Sequence, residues 1–162
     1  WSGCMTPYWN PKARGIIAGL SGNHSRGDVY RSILEGVALE QVMMTDGVAA
    51  ATQAIDHFVI MGGGAQSDLW CQIVADAGGR EVRRLETVEA SALGAAMAAA
   101  KGIGWFKSIP AAAERMSGKA SKTFRPRSKE NKAYRELMAI YRDLWPTLSQ
   151  WNARLQAFSG DT

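Results

Sequence analysis

Residues 58–70 read FVIMGGGAQSDLW: a β-branched apolar run, three consecutive glycines, and then Ser67 at the head of a helical pattern. Glycine loses more conformational freedom on folding than any other residue. Three in a row therefore mark a place where the backbone needs unusual angles or where something must approach closely. A tight structural turn meets the first need. A nucleoside lying on peptide planes that carry no side chains meets the second, and spacing alone leaves both open.

Working outward, HFVIM (His57 to Met61) has the length and β-branched content of a strand. Ser67 can cap a helix from Asp68 to about Ala77, in which Leu69, Ile73 and Ala77 recur every four residues, and Gly78-Gly79 supplies its stop. Arg80 to Leu85 reads as a second strand. Glu89 then opens a helix ending at Gly102 whose only large apolar residues are Leu93 and Met97, so its small side chains permit close approach to another backbone. Upstream, GIIAGL (Gly15 to Leu20) is a short apolar strand candidate. Ser25 and Asp28 form a capping-box pair for a long helix from about Gly27 to the region of Ala49. Gly36 inside that helix implies that another element or a ligand packs against it. Strands alternating with helices indicate an α/β fold, with the two later strands parallel and ligands expected at their carboxyl ends.

Downstream, Pro110 starts a minor helix. Lys119, Lys122, Arg125, Arg127, Lys129 and Lys132 surround Phe124 and Pro126 in what reads as a basic loop. No recognition-helix or zinc motif accompanies it, so a solvated connection is expected and no nucleic-acid partner. The tail repeats apolar residues three and four apart, at Tyr134, Leu137, Tyr141, Leu144, Leu148, Trp151, Leu155 and Phe158. That seam is a helical face, expected to pack on the chain's own body, with Pro146 kinking or dividing it.

The 162 residues, 46% hydrophobic and 21% charged, suit one domain with a filled core. The longest low-charge stretch, Ala90 to Ala100, falls well short of the ~20 apolar residues that span a bilayer, so no membrane partner is expected. The opening WSGCMTPYWN has neither an initiator methionine nor the order of a signal peptide, and reads as the middle of a longer protein. Cys4 and Cys71 belong to no C-x-x-C pair, which points to a reduced, cytoplasmic protein. His24 and His57 are too isolated for a metal centre.

Two glycine-rich phosphate motifs fail on inspection. The one Gly-Lys pair, Gly118-Lys119, is followed by Ala120 and cannot be a P-loop. Gly62 and Gly64 supply G-x-G, but Ser67 occupies the third position of a dinucleotide fingerprint.

GGGAQSDLWCQIVADAGGREV, followed by EASALGAAMAAAKGIG, resembles the C-terminal domain of the FGGY family of carbohydrate kinases, its xylulokinase-like members above all. GIIAGLSGNHSRGDVYRSILE and TPYWNPKARG are similar to segments that precede those motifs in the family. GCMTP departs from the acidic run that many members carry there, which bears on the identity of the sugar. The resemblance implies an actin-like ATPase, ribonuclease H-like domain over residues 1–162, truncated at its N-terminal hairpin and carrying a helical tail over residues 127–158. It also implies a two-domain kinase that transfers the ATP γ-phosphate to a sugar hydroxyl, with xylulose the expected acceptor.

In that picture Gly62, Gly63, Gly64, Ala65 and Asp68 form the nucleotide site, with Asp68 able to contact adenine. Mg2+ arrives with the nucleotide, and the helix Ala90 to Ala100 lies where the domains hinge. No catalytic residue is assigned, since the base, the phosphate loops and most sugar contacts belong to N-terminal segments. This chain alone is expected to be inactive. An uncovered sheet edge beside GIIAGL is expected to promote self-association, a homodimer included. A non-catalytic actin-like module that binds a nucleotide or a partner would carry the same glycine corner.

Overall fold

The computed structural model describes residues 3–4, 7–87 and 89–158. Trp1, and the Met5 and Thr6 of GCMTP and of the TPYWNPKARG match, lie outside the described residues. The chain forms two compact units, Trp1–Ile55 with Ser128–Thr162, and Asp56–Arg127.

The second unit is the α/β part. Strand β1 (His57–Ile60) leads through a 3-10 turn (Gly63–Gln66) into helix α2 (Asp68–Gly78), strand β2 (Glu81–Leu85), helix α3 (Ala90–Gly102), helix α4 (Ile109–Met116) and strand β3 (Ala120–Phe124). The sheet order is β1-β2-β3. The β1/β2 pair is parallel, with His57 opposite Glu81, as the intervening helix requires. Strand β3 returns antiparallel to β2, with Val82 opposite Phe124 and Arg84 opposite Lys122.

Local chemistry fixes the ends of α2. The Ser67 side chain accepts from the Trp70 amide, and Gly79 ends the helix in the left-handed region at φ 59°. The core around α2 and the sheet comprises Cys71, Ile73, Val74, Val82 and Phe124, all buried. Burying Ile73 and Val82 contributes about 2 kcal/mol each. Asp76, fully buried, is satisfied from three sides. It accepts from the Arg127 backbone amide at 2.8 Å, from Gln72 Nε2 at 3.0 Å, and from Arg127 Nη2 at 2.6 Å. Helix α3 buries only Met97 and Ala100. A Cβ at Gly94 would meet no atom within 4 Å, so no described backbone exploits the small residues there.

In the first unit, helix α1 (Arg26–Ala51) begins on the expected capping box. Ser25 Oγ accepts from the Asp28 amide at 3.3 Å, and Asp28 Oδ2 accepts from the Ser25 amide at 2.7 Å. Helix α5 (Ser128–Phe158) is joined to α1 by side-chain bonds: Tyr134 to Glu35 at 2.8 Å, Tyr141 to Glu40 at 3.1 Å, and Arg142 to Asp46 at 3.0 Å. Buried Asn152 accepts from the Arg14 amide at 3.1 Å and donates to the Arg14 carbonyl at 3.1 Å, which ties the end of α5 to the loop before α1.

Several expectations are corrected. Residues 15–20 form no strand, and Ile17 and Leu20 are exposed. No described strand lies beside them to complete a ladder, so the expected edge is not there. The basic loop is in part a strand: β3 reads as solvated because Phe124 is its one buried residue. At Gly36 no described element packs where a Cβ would stand, which corrects the packing half of that expectation. The α5 seam is displaced: Tyr134, Met138 and Asn152 are buried, whereas Leu137, Trp151, Leu155 and Phe158 are exposed. Apolar residues line adjoining stripes of that helix, and three-four spacing alone does not choose between them. Pro146 does not divide α5, which continues through it.

Candidate functional site: the glycine turn after β1

The turn at the carboxyl end of β1 separates the two explanations for its glycines. Gly62 has φ 91°, a conformation side-chain-bearing residues rarely adopt, so its identity follows from the turn. The Gly62 carbonyl accepts from the Ala65 amide at 3.1 Å and the Gly64 carbonyl from the Ser67 amide at 3.2 Å, which closes the 3-10 turn. Gly63 needs neither reason. Its φ lies outside the left-handed region, and a Cβ there would meet nothing within 4 Å. At Gly64 a Cβ would stand 3.7 Å from the Trp70 indole nitrogen, an ordinary contact. The backbone at Gly63 and Gly64 is exposed, whereas Ala65 is buried and anchors the turn.

Asp68, the first residue of α2, stands beside this turn with its side chain largely exposed. Arg84 Nη1 donates to Asp68 Oδ1 at 2.8 Å and to the Ala65 carbonyl at 3.1 Å. Lys122 Nζ donates to Asp68 Oδ2 at 2.6 Å. Lys122 above all, with Arg84, holds the Asp68 carboxyl below the usual carboxylate range, so the group is an anion that only accepts hydrogen bonds. Both cations lie over the buried Phe124 ring, Arg84 at 5.6 Å and Lys122 at 5.2 Å from its centroid. Burial pushes the Cys71 thiol up, and the thiol donates to the Ala65 carbonyl at 3.3 Å, which fits a structural role under the turn.

The structure brings together all five sequence-predicted residues, Gly62, Gly63, Gly64, Ala65 and Asp68, in one turn and the first residue of the following helix. Sequence reasoning missed Arg84, Lys122 and Phe124. Period-two alternation puts Val82 with Arg84 and Lys122 with Phe124 on like faces of their strands, but only the β2/β3 pairing sets them opposite one another. Among the described residues no group of three or more His, Cys, Asp or Glu side chains is placed to hold a metal ion. His24 instead accepts from the Ser21 amide at 2.8 Å, in the loop that leads into α1. No described helix is long and apolar enough to cross a membrane.

A parallel β–α–β unit with a bare glycine turn at a strand's carboxyl end defines an α/β protein, and in open sheets of this class ligands commonly bind at that end. Comparison with known proteins gives the family. Residues 1–103 match the FGGY family of carbohydrate kinases, C-terminal domain. The chain is 32% identical over 156 residues to a xylulose kinase of Bacillus subtilis (strain 168), covering 96% of this chain and 31% of that protein. It is 38% identical over 108 residues to a glycerol kinase of Corynebacterium glutamicum (strain R), covering 66% of this chain and 21% of that protein. Among solved structures, a xylulose kinase from Rhodospirillum rubrum superposes with a TM-score of 0.75 at 29% identity, over 88% of this chain and 29% of that one. The chain belongs to the FGGY family of carbohydrate kinases, with residues 1–103 matching its C-terminal domain, within the actin-like ATPase fold family. It spans about a third of the length of these two xylulose kinases and matches about a fifth of the glycerol kinase.

Proposed function

We propose that this chain is the nucleotide-binding part of a cytoplasmic, ATP-dependent carbohydrate kinase, with adenosine held against the Gly62–Gly64 turn and Asp68. The observation that carries the reading is Gly63, where neither backbone conformation nor packing accounts for the missing side chain. A flat heterocycle that needs the space accounts for it. The acceptor is a small carbohydrate, with xylulose first because the relative matched over 96% of the chain is a xylulose kinase.

Phosphoryl transfer is mostly positioning and charge stabilisation, and it needs a carboxylate to accept the hydroxyl proton. Among the described residues, buried Asp76 is committed to Arg127, and Asp68 to Arg84 and Lys122, so neither is assigned as that base. The base, the phosphate loops and most sugar contacts are assigned to other parts of the protein. Mg2+ arrives with the nucleotide, since no cluster of carboxylates among the described residues is placed to cage it. The small-residue face of α3 is free to serve as a hinge surface.

The test is ADP release by the intact protein with ATP and a panel of pentuloses, hexuloses, polyols and aldonates. Turnover is expected with a pentulose. Turnover with glycerol instead would reassign the acceptor in the direction of the glycerol kinase similarity. ATP binding without turnover on any acceptor would replace the kinase by a non-catalytic nucleotide-binding module.

A further inference from the structure

Arg84 and Lys122 face each other directly across the antiparallel β2/β3 pair. Like charges in that relation repel and weaken a strand pair. Here one carboxylate lies between them, with Oδ1 on Arg84 and Oδ2 on Lys122. Asp68 is thus held at both oxygens by groups from two strands, and each cation rests on the face of Phe124. Arg84 Nη1 also holds the Ala65 carbonyl, so a single nitrogen fixes the carboxylate relative to the glycine turn. Two of about four acceptor positions on the carboxylate are used by these bonds, which leaves capacity to accept from a ligand.

We infer that Arg84 and Lys122 are positioning residues for nucleotide recognition: they fix an acceptor-only carboxylate beside the glycine turn, where it selects a purine bearing an exocyclic amino group at the six position. The inference rests on the nucleotide reading of the turn. A six-amino group donates to such a carboxylate, whereas a six-oxo group presents an acceptor to an anion. Arg84, with its side chain only 17% exposed, provides the rigid half of the clamp. Lys122, at 47%, provides the half that can be removed without opening the core.

The experiment measures equilibrium binding of ATP and of ITP to the intact protein and to Lys122→Met, which keeps an unbranched apolar side chain at that position and removes the ammonium that lies over Phe124. Loss of one exposed charged contact is expected to weaken ATP about five-fold. The ratio of ATP to ITP affinity should fall with it, sugar affinity should not move, and Lys122→Arg should restore ATP binding. In an Asp68→Asn background, Lys122→Met should have no further effect. An equal loss in that background, or an unchanged ratio of ATP to ITP affinity, overturns the inference, because Lys122 would then act on the ligand directly or not at all. Gly63→Val separates the two levels. If it abolishes ATP binding while Lys122→Met changes nothing, this inference fails and the nucleotide reading stands; if it leaves ATP binding intact, the nucleotide reading fails too.

Discussion

Each unit buries apolar side chains, Ala38, Leu39, Val42 and Met138 in the first, but the pairing that ties its elements internally differs between the two. In Asp56–Arg127 the strands are knit by backbone ladders over a core of Cys71, Ile73, Val74, Val82 and Phe124. Where α1 meets α5, the described bonds run between charged or phenolic side chains about a hundred residues apart: Arg31–Glu35–Tyr134, Glu40–Tyr141 and Asp46–Arg142. Backbone ladders and apolar burial tolerate small changes of side chain. A hydrogen-bond network that includes buried hydroxyls depends on each member, and on pH.

The largest effect is expected where the α/β unit departs from its own pattern, at its one fully buried acid. Asp76→Ala would remove the shared acceptor of the Arg127 guanidinium, the Arg127 amide and Gln72 Nε2, and should lower stability by about 3 kcal/mol in denaturant unfolding. A loss below about 0.5 kcal/mol would show that the unit depends on its ladders and apolar core alone.

A smaller effect tests the helical unit. Tyr134→Phe removes the donor to Glu35, which keeps its bond from Arg31 Nε at 2.7 Å, so about 1 kcal/mol should be lost. The pH dependence is more telling. Burial, together with the bond to Glu35, pushes the Tyr134 phenol from 10.0 up to about 12. The neutral form is favoured in the fold, so the contribution is complete below the unfolded value of 10.0 and declines as pH rises from there to about 12. Burial also raises Tyr141, with the carboxylate of Glu40 beside it. Tyr134→Phe should therefore flatten part of the alkaline loss of stability and leave the remainder to Tyr141. An identical pH profile for variant and parent would remove Tyr134 from the network.

The same contrast explains what could be read in the sequence. Features set by neighbours in the chain are legible: the Ser25–Asp28 capping box, the Ser67 cap, the Gly79 stop, both parallel strands and the turn that joins the first of them to α2. Features set by distant partners are not. Residues 15–20 have a strand's composition but no described strand beside them. Strand β3 carries lysines and one buried aromatic, a composition suited to a sheet edge and easily read as a loop. For that reason Lys122 reads in the sequence as part of a solvated basic run, when it is a partner of Asp68. The inward face of α5 depends on Glu35, Glu40 and Asp46 of α1, which its own apolar spacing does not record.

The central claim is that the space at Gly63 belongs to a nucleotide. Gly63→Val puts a side chain into that space without forcing a left-handed backbone or meeting a described neighbour, so stability should stay within about 0.5 kcal/mol of the parent. ATP binding to the intact protein, measured beside its thermal melt, should fall below detection while the melt is unchanged. A folded Gly63→Val protein that binds ATP as tightly as the parent would contradict the account.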